Sequence, residues 1–407
     1  PPTKSFMPCA MSPQPLTAWT SFVQAQRASA GLVRSGKSET GETALKNFRR
    51  IISVLCAAAM LLSLCACSKR EKYDAVFITD VGDIYDRSYN SAVWDGVRSY
   101  AADYGVNCKY YRPSQRGTKY FFKAIKKAIN HGARAIVCHG DEFCDAVIKA
   151  AERWDDVKFI IIDCKEKNLP SNVLAVGYST LDAGYLAGYA SVSNGFQRLG
   201  FQGSSPSDDY VNYCFGFIQG AERAAEDLML EVMSVEIKVN FLKTDENEDD
   251  VEARAKSWFS TGTQVIFACG TKTFATVASV AERNVGSWVI GADTDKSYAS
   301  DSVLTSAEKS VSTSVYRALA EVKGGSFKGG RSVTYGIADD GVRLDLQRSL
   351  FSLFTQSDYD AIIERVKADP TMISSLVTAD DAKNIVLGDD QELSSIFSLN
   401  HVLIFTN

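Results

Sequence analysis

The residue pattern predicts an α/β protein made of two doubly wound parallel-sheet lobes with a ligand cleft between them. Three observations carry this expectation. Short runs at 75–79 (AVFIT), 157–163 (VKFIIID) and 264–269 (QVIFAC) are apolar almost throughout, as strands covered on both faces are. Segments of helical spacing separate such runs. The strand–helix alternation then restarts near Arg198, and each series calls for right-handed crossovers and a parallel sheet of its own.

Taken in order, the first series opens with the strand at 75–79. A helix over 90–104 follows, with Val93, Val97, Tyr100 and Ala101 on one face. Next come a strand at 106–111, a helix at 120–130 ending near Gly132, a strand at 133–138, a helix at 144–154, and strands at 157–163 and 173–178. A helix at 181–192, rich in Ala and Gly, is suited to close packing. The second series reads as strand 198–202, helix 211–228, strand 232–241, helix 250–260, strand 264–269, helix 274–283 and strand 288–293. A strand at 303–306, a helix at 312–322 and a strand at 333–337 complete it. An amphipathic helix is expected at 358–367, and the apolar stretch 393–406 either adds a strand or covers the second lobe. The expected division is 72–195 plus 302–335 for the first lobe and 196–301 plus 336–407 for the second.

Composition fits such a body. The 407 residues are 45% apolar and 23% charged, which excludes a disordered chain, a collagen-like repeat and a multi-span membrane protein. That length suggests two or three domain-sized units. The net charge of −5, with no dominant basic stripe, argues against a nucleic-acid partner. Only three histidines occur (His131, His139 and His401), which argues against a His-rich metal site or a Ser-His-Asp enzyme. The ten cysteines include no CxxC pair, so zinc is not expected. Cys138, Cys164 and Cys269 lie in or at the ends of apolar runs, where a cysteine behaves as a small hydrophobe. An exported chain can oxidise some of them, with pairing left open. Neither a metal nor a cofactor is expected.

The N-terminus reads as an address. Lys46, Arg49 and Arg50 precede the apolar run 51–67, which predicts a secretory signal over 46–67. The string Leu64-Cys65-Ala66-Cys67 looks like a bacterial lipobox. Cys67, preceded by the small Ala66, is the expected lipidated residue, and Cys65 is the alternative. The other reading, an uncleaved anchor, meets a run shorter than the roughly 20 residues that span a bilayer. Residues 1–45 begin Pro1-Pro2 and lack hydrophobic periodicity, and they are expected to be an unstructured extension translated from upstream of the true start. Removing residues 1–66 leaves 37 basic and 47 acidic residues, a net of −10. Lipid, not charge, is therefore expected to hold the body at the extracytoplasmic face of the cell membrane.

Ligands of open α/β folds bind beyond the carboxyl ends of the strands. Asp80 follows the first strand, His139, Gly140 and Asp141 the third, and Asp163 ends the fourth. Phe241 ends the second strand of the second series, and Gly270 and Asp293 mark later ones. One such Asp can be a helix cap or turn residue; four carboxylates at strand ends point to a site. No GxSxG, Walker, HExxH or leading GxGxxG motif is present. Paired carboxylates could serve a glycosidase, but a two-lobed cleft can also act by closing on a ligand.

Several strings then stand in order: Asp80-Val81-Gly82, Asp86-Arg87-Ser88-Tyr89-Asn90 with Trp94 and Gly96, and Leu186-Ala187-Gly188. Tyr213 with Gly216-Phe217 and Gly220, Val289 to Asp295 (VIGADTD), and Leu304-Thr305-Ser306 with Lys309 follow. From about residue 72 to 345 the chain resembles the basic membrane protein (BMP) family of substrate-binding lipoproteins, of the purine nucleoside receptor A type. The resemblance implies a type I periplasmic-binding-protein fold, a nucleoside ligand, and the permease and ATPase subunits of an ABC importer as partners, with the receptor itself a monomer. It places the first-strand Asp on Asp80 and the family's Ser-Phe-Asn string on Ser88-Tyr89-Asn90. Tyr89 would stack on a base, worth about 1–3 kcal/mol, and Asn90 would offer donor and acceptor to a purine edge. Phe241, with Phe143 in reserve, would close a sandwich from the opposite lobe. Asp293 and Lys309 fall on the ribose-contacting Asp and Lys, and Gly270 would let backbone approach the ligand. Asp141 and Asp163 complete the expected site. The chain departs from the family pattern at Ser91, at Lys296 and in the short Gly270-Thr271-Lys272 stretch. Competing readings are a binding protein or sensor of the same fold for a sugar or other small ligand, and a nucleoside hydrolase, for which no poised general base is visible.

Overall fold

Two units make up the chain, Pro1–Arg70 and Glu71–Asn407. The computed structural model describes residues 72–164, 166–243, 247–374 and 399–406, and Ile52. The extension 1–45, Cys65 and Cys67 lie outside the described residues, as does the signal segment 46–67 apart from Ile52.

The second unit begins with β1 (Ala75–Ile78), α1 (Tyr89–Tyr104), β2 (Cys108–Tyr111), α2 (Thr118–Asn130) and β3 (Ala135–His139). A 3-10 turn at Asp141–Phe143 leads into α3 (Cys144–Ala151), then β4 (Lys158–Ile162) and β5 (Val173–Tyr178). Next come α4 (Thr180–Ser193), β6 (Arg198–Gly203), α5 (Asp208–Asp227), β7 (Val235–Phe241), α6 (Glu248–Ser260), β8 (Val265–Cys269), α7 (Thr271–Glu282) and β9 (Trp288–Asp293). The chain ends with β10 (Val303–Lys309), α8 (Val311–Gly324), β11 (Arg331–Tyr335), β12 (Val342–Leu344), α9 (Gln356–Ala368), α10 (Thr371–Ser374) and β13 (Val402–Thr406).

The strands form two sheets, ordered β11-β5-β4-β3-β1-β2 and β12-β10-β9-β8-β6-β7-β13. Every pairing is parallel except β10 with β12. This is the type I periplasmic-binding-protein-like arrangement. Burial explains the sequence pattern: all four residues of β1 and all five of β8 are buried, which only helix-covered parallel sheets achieve.

The lobe boundaries differ from the expected 195/196 and 301/302. Helix α4 packs on α5, β10 and β12, so the first crossing falls between β5 and α4. Strand β10 belongs to the second sheet, whereas α8 packs on α1 and β11 joins the first. The second crossing therefore lies at Ser310 and the third between β11 and β12. Periodicity reports element type but is blind to which sheet an element joins. Strand β10 also runs on through Glu308 and Lys309, both buried, where an apolarity count stops at Ser306.

The small residues of α4 have the expected use. A Cβ on Gly188 would lie 2.0 Å from the Phe217 carbonyl oxygen, and one on Gly216 would lie 1.9 Å from that of Leu181. The backbones of α4 and α5 are in direct contact at these glycines. At the C-terminus β13 adds a parallel edge strand on β7. Glu222 holds its start by accepting the backbone N–H groups of Asn400, His401 and Val402.

Candidate functional site

Lys309 ends β10 with 3% of its side chain exposed. Its Nζ lies 3.1 Å from Asp163 Oδ2, 3.2 Å from Asp293 Oδ1 and 3.6 Å from Asp209 Oδ2. Asp163 follows β4, Asp293 ends β9, and each is the fourth strand of its series. Both residues are left-handed, with φ of 54° and 70°, a conformation Asp tolerates better than most residues. One ammonium thus ties the first sheet to the second. Burial alone would lower its pKa; the charges of Asp293 and Asp163 outweigh burial and hold it well above the ordinary lysine value. Tyr89 Oη donates to Asp163 at 2.7 Å and Tyr213 Oη to Asp293 at 3.2 Å. Burial, then the nearby carboxylates, push both phenols well up, so they stay protonated donors.

A second network starts at Asp80, which accepts from Asn90 Nδ2 at 2.9 Å, from the Gly82 N–H and from Arg116 Nη2 at 3.1 Å. Burial pushes the Asp80 carboxyl up, but these hydrogen bonds and the Arg116 charge outweigh it and hold its pKa below the usual value. Asn90 Nδ2 also donates to Asp86 Oδ2 at 2.8 Å, and Asn90 Oδ1 lies 3.0 Å from His139 Nε2. The His139 ring stacks on Tyr89 with centroids 5.6 Å apart and planes at 17°.

A cavity of about 410 Å³ lies where these groups meet, within the range of about 300–1,000 Å³ usual for small-molecule sites. The first lobe lines it with Tyr89, His139, Gly140 and Asp163, and the second with Ser204, Asp209, Tyr210, Asp293 and Lys309. Three carboxylates against one ammonium leave the lining acidic. The site can accept hydrogen bonds from hydroxyls and N–H groups, donate through Lys309, and offer aromatic faces.

The family described as ABC transporter substrate-binding protein PnrA-like (Bmp) matches residues 74–375. The chain belongs to the Bmp family. This is a family of substrate-binding proteins of transporters, not of enzymes. Curated relatives include the ABC transporter nucleoside-binding protein BmpA of Lactococcus lactis, 26% identical over 299 residues that cover 68% of this chain and 82% of the relative. The CD4+ T-cell-stimulating antigen of Listeria monocytogenes is 25% identical over 329 residues, 74% and 90% of the two chains. Basic membrane protein D of Borreliella burgdorferi is 24% identical over 308 residues, 73% and 87% of the two chains. Among solved structures, an ABC transporter solute-binding protein from Conexibacter woesei superposes with a TM-score of 0.61 at 18% identity, covering 75% of this chain and 97% of that one. That likeness speaks to the fold.

Within this Bmp protein, Tyr89, Asp163, Asp293 and Lys309 all line the cavity. Asn90 does not offer itself to a base edge: it is 2% exposed, and protein groups take its amide nitrogen and oxygen. Its role here is to position Asp80 and His139. The aromatic sandwich with Phe241 is not formed either. Phe241 packs into the second lobe's core, 5.4 Å from the Phe201 ring centroid. The reserve, Phe143, is fully buried against Phe121 at 3.9 Å. Tyr210, in the first turn of α5, is the aromatic that the second lobe brings to the cavity. Ser88 instead lines a larger groove of about 830 Å³ that Lys309 also borders, along with Arg87, Trp94, Arg343 and Arg348. Asp141 is exposed on the turn after β3. Gly270, at φ 104°, lets its backbone pass Ser204, whose Cβ would be 2.9 Å from an added Cβ. Asp209 and Tyr210 were legible in principle, since they lie in the first turn of the helix that follows β6; the strand-end rule, applied to strand ends and the residues directly after them, stops short of positions six and seven residues past Gly203.

Proposed function

We propose that this protein is the lipid-anchored, extracytoplasmic receptor of an ABC importer and binds a nucleoside, with a purine base, between lobes that close on it. The observation that carries this reading is the Asp163–Lys309–Asp293 bridge beside Tyr89 in a cavity of about 410 Å³. A ribose diol matches a carboxylate that accepts and an ammonium that donates; Asp163 matches a base N–H; Tyr89 and Tyr210 match its flat faces. An acidic lining disfavours a phosphorylated ligand, because a phosphate would face three carboxylates. A plain sugar also satisfies the carboxylates, but it leaves the aromatic faces without a partner of their shape. The relative named for nucleoside binding supports the same choice. The permease and ATPase subunits would be the protein partners, with lipid on Cys67 as the tether.

Calorimetry with inosine, guanosine and adenosine tests the ligand class. Heat and a raised Tm with at least one are expected; no response to any of them would remove the nucleoside reading. Mass spectrometry of a co-purifying ligand would separate a nucleoside from a sugar. The tether is tested on protein extracted from membranes, where the N-terminal peptide should begin at a diacylglyceryl-modified Cys67.

A further inference from the structure

His139 ends β3, lines the cavity and is one of only three histidines in the chain. Which of its ring nitrogens carries hydrogen is decided by Asn90. The two hydrogens of the Asn90 amide are aimed at carboxylates, Asp80 Oδ1 at 2.9 Å and Asp86 Oδ2 at 2.8 Å. A flipped amide would set its oxygen against both acceptors, so Oδ1 must be the atom at His139 Nε2, 3.0 Å away. An amide oxygen only accepts, so Nε2 is the donor, and a neutral ring then keeps a lone pair on Nδ1. Among the described residues Nδ1 has no hydrogen-bond partner.

The surroundings keep the ring neutral. Burial comes first and lowers its pKa, with Arg116, from the segment before α2, acting in the same direction. Asp80 and Asp86 from the β1–α1 segment and Asp163 from the end of β4 oppose this, and the net pKa stays below the ordinary histidine value. Tyr89, stacked on the ring, is the phenol facing it, and Lys309 Nζ lies 5.6 Å from the Tyr89 ring centroid.

We propose that His139 is a specificity-determining residue: with Nε2–H committed to Asn90, it presents Nδ1 as an acceptor and selects a base edge that carries a donor. The inference rests on the nucleoside reading of the cavity. It has a signature that a packing role lacks. A proton on Nδ1 turns the acceptor into a donor and adds charge beside the ligand, so affinity falls as the pH falls.

The test uses the purified folded protein and whichever of inosine, guanosine and adenosine binds most tightly. Its Kd, measured by calorimetry from pH 8 to 4.5, should rise as the pH falls toward the lowered pKa of the ring and approach about tenfold per unit below it, where one proton competes with the ligand. His139→Gln keeps an amide that can reach Asn90 but cannot titrate, and its Kd should be flat over that range. A flat wild-type profile, or a wild-type slope retained in His139→Gln, would overturn the proposal. Long-range ¹H–¹⁵N spectra of the ligand-free protein, simple to assign with three histidines, should show Nε2 protonated and Nδ1 bare; the reverse tautomer would also overturn it. If no nucleoside binds at any pH, the nucleoside reading falls and takes this inference with it; nucleoside binding with a flat wild-type profile or the reverse tautomer overturns this inference alone.

Discussion

Replacing Lys309 with Met keeps an unbranched chain of similar length and removes the ammonium. Asp163, Asp209 and Asp293, whose side chains are 25%, 41% and 23% exposed, then face one another without a cation. Stranding a buried charge costs about 3–5 kcal/mol. Water reaches all three carboxylates here, so the lower end, about 3 kcal/mol, is expected. At about 2–4 °C per kcal/mol this is a fall in Tm of about 6–12 °C near neutral pH. The pH dependence carries the sign of the argument. Lysine at this site is held above its unfolded pKa, so its contribution is fully present below the unfolded value and is lost only as pH rises through the folded one. The gap between the two proteins should therefore stay level from about pH 6 to 9. Differential scanning fluorimetry across that range measures both features. A variant melting within about 1 °C of the parent at neutral pH would refute the reasoning, because the bridge would then contribute no net stability.

Three further outcomes follow from the same geometry. Asp293→Ala removes one partner from Lys309 and one of the two acceptors of Tyr213, and nucleoside affinity should fall at least about 30-fold, the scale of truncating a desolvated charge pair; calorimetry alongside far-UV circular dichroism separates this from unfolding. Gly216→Ala puts a methyl group 1.9 Å from the Leu181 carbonyl, against backbone that cannot rotate away, so the urea midpoint should drop by an amount equivalent to about 1–3 kcal/mol or more. Cys144 and Cys164, 20 residues apart, form a disulfide; the double serine variant should lose about 3 kcal/mol of stability by the chain-entropy account. A dithiol should bring the parent to the same Tm and leave the variant unmoved.

Much of the site could be read before any packing was known. Asp163 and Asp293 end apolar runs, Lys309 follows a short one, and Tyr89 opens a helix; the C-terminal edge of a parallel sheet places all such residues near one cleft. Phe241 and Phe143 occupy equally suggestive positions, yet they turn into the cores of their lobes. Neighbours such as Phe201 for Phe241 and Phe121 for Phe143, brought in from other segments, decide that direction and are not visible in local sequence. Asn90 shows the same limit: its donors and acceptor are plain from its chemistry, but their consumption by Asp80, Asp86 and His139 depends on groups brought together from separate segments.

Residue order along the chain thus carries the element types, the doubled strand–helix series, the apolar run at 51–67 and the charged strand ends, because each rests on periodicity or composition within one short window. Long-range packing chose which sheet takes β10, where the chain crosses between lobes, and which side chains share Lys309. Those choices turn on pairing between distant segments, 146 residues apart for Lys309 and Asp163 and 157 for Arg331 and Leu174, where neither segment's own pattern names its partner.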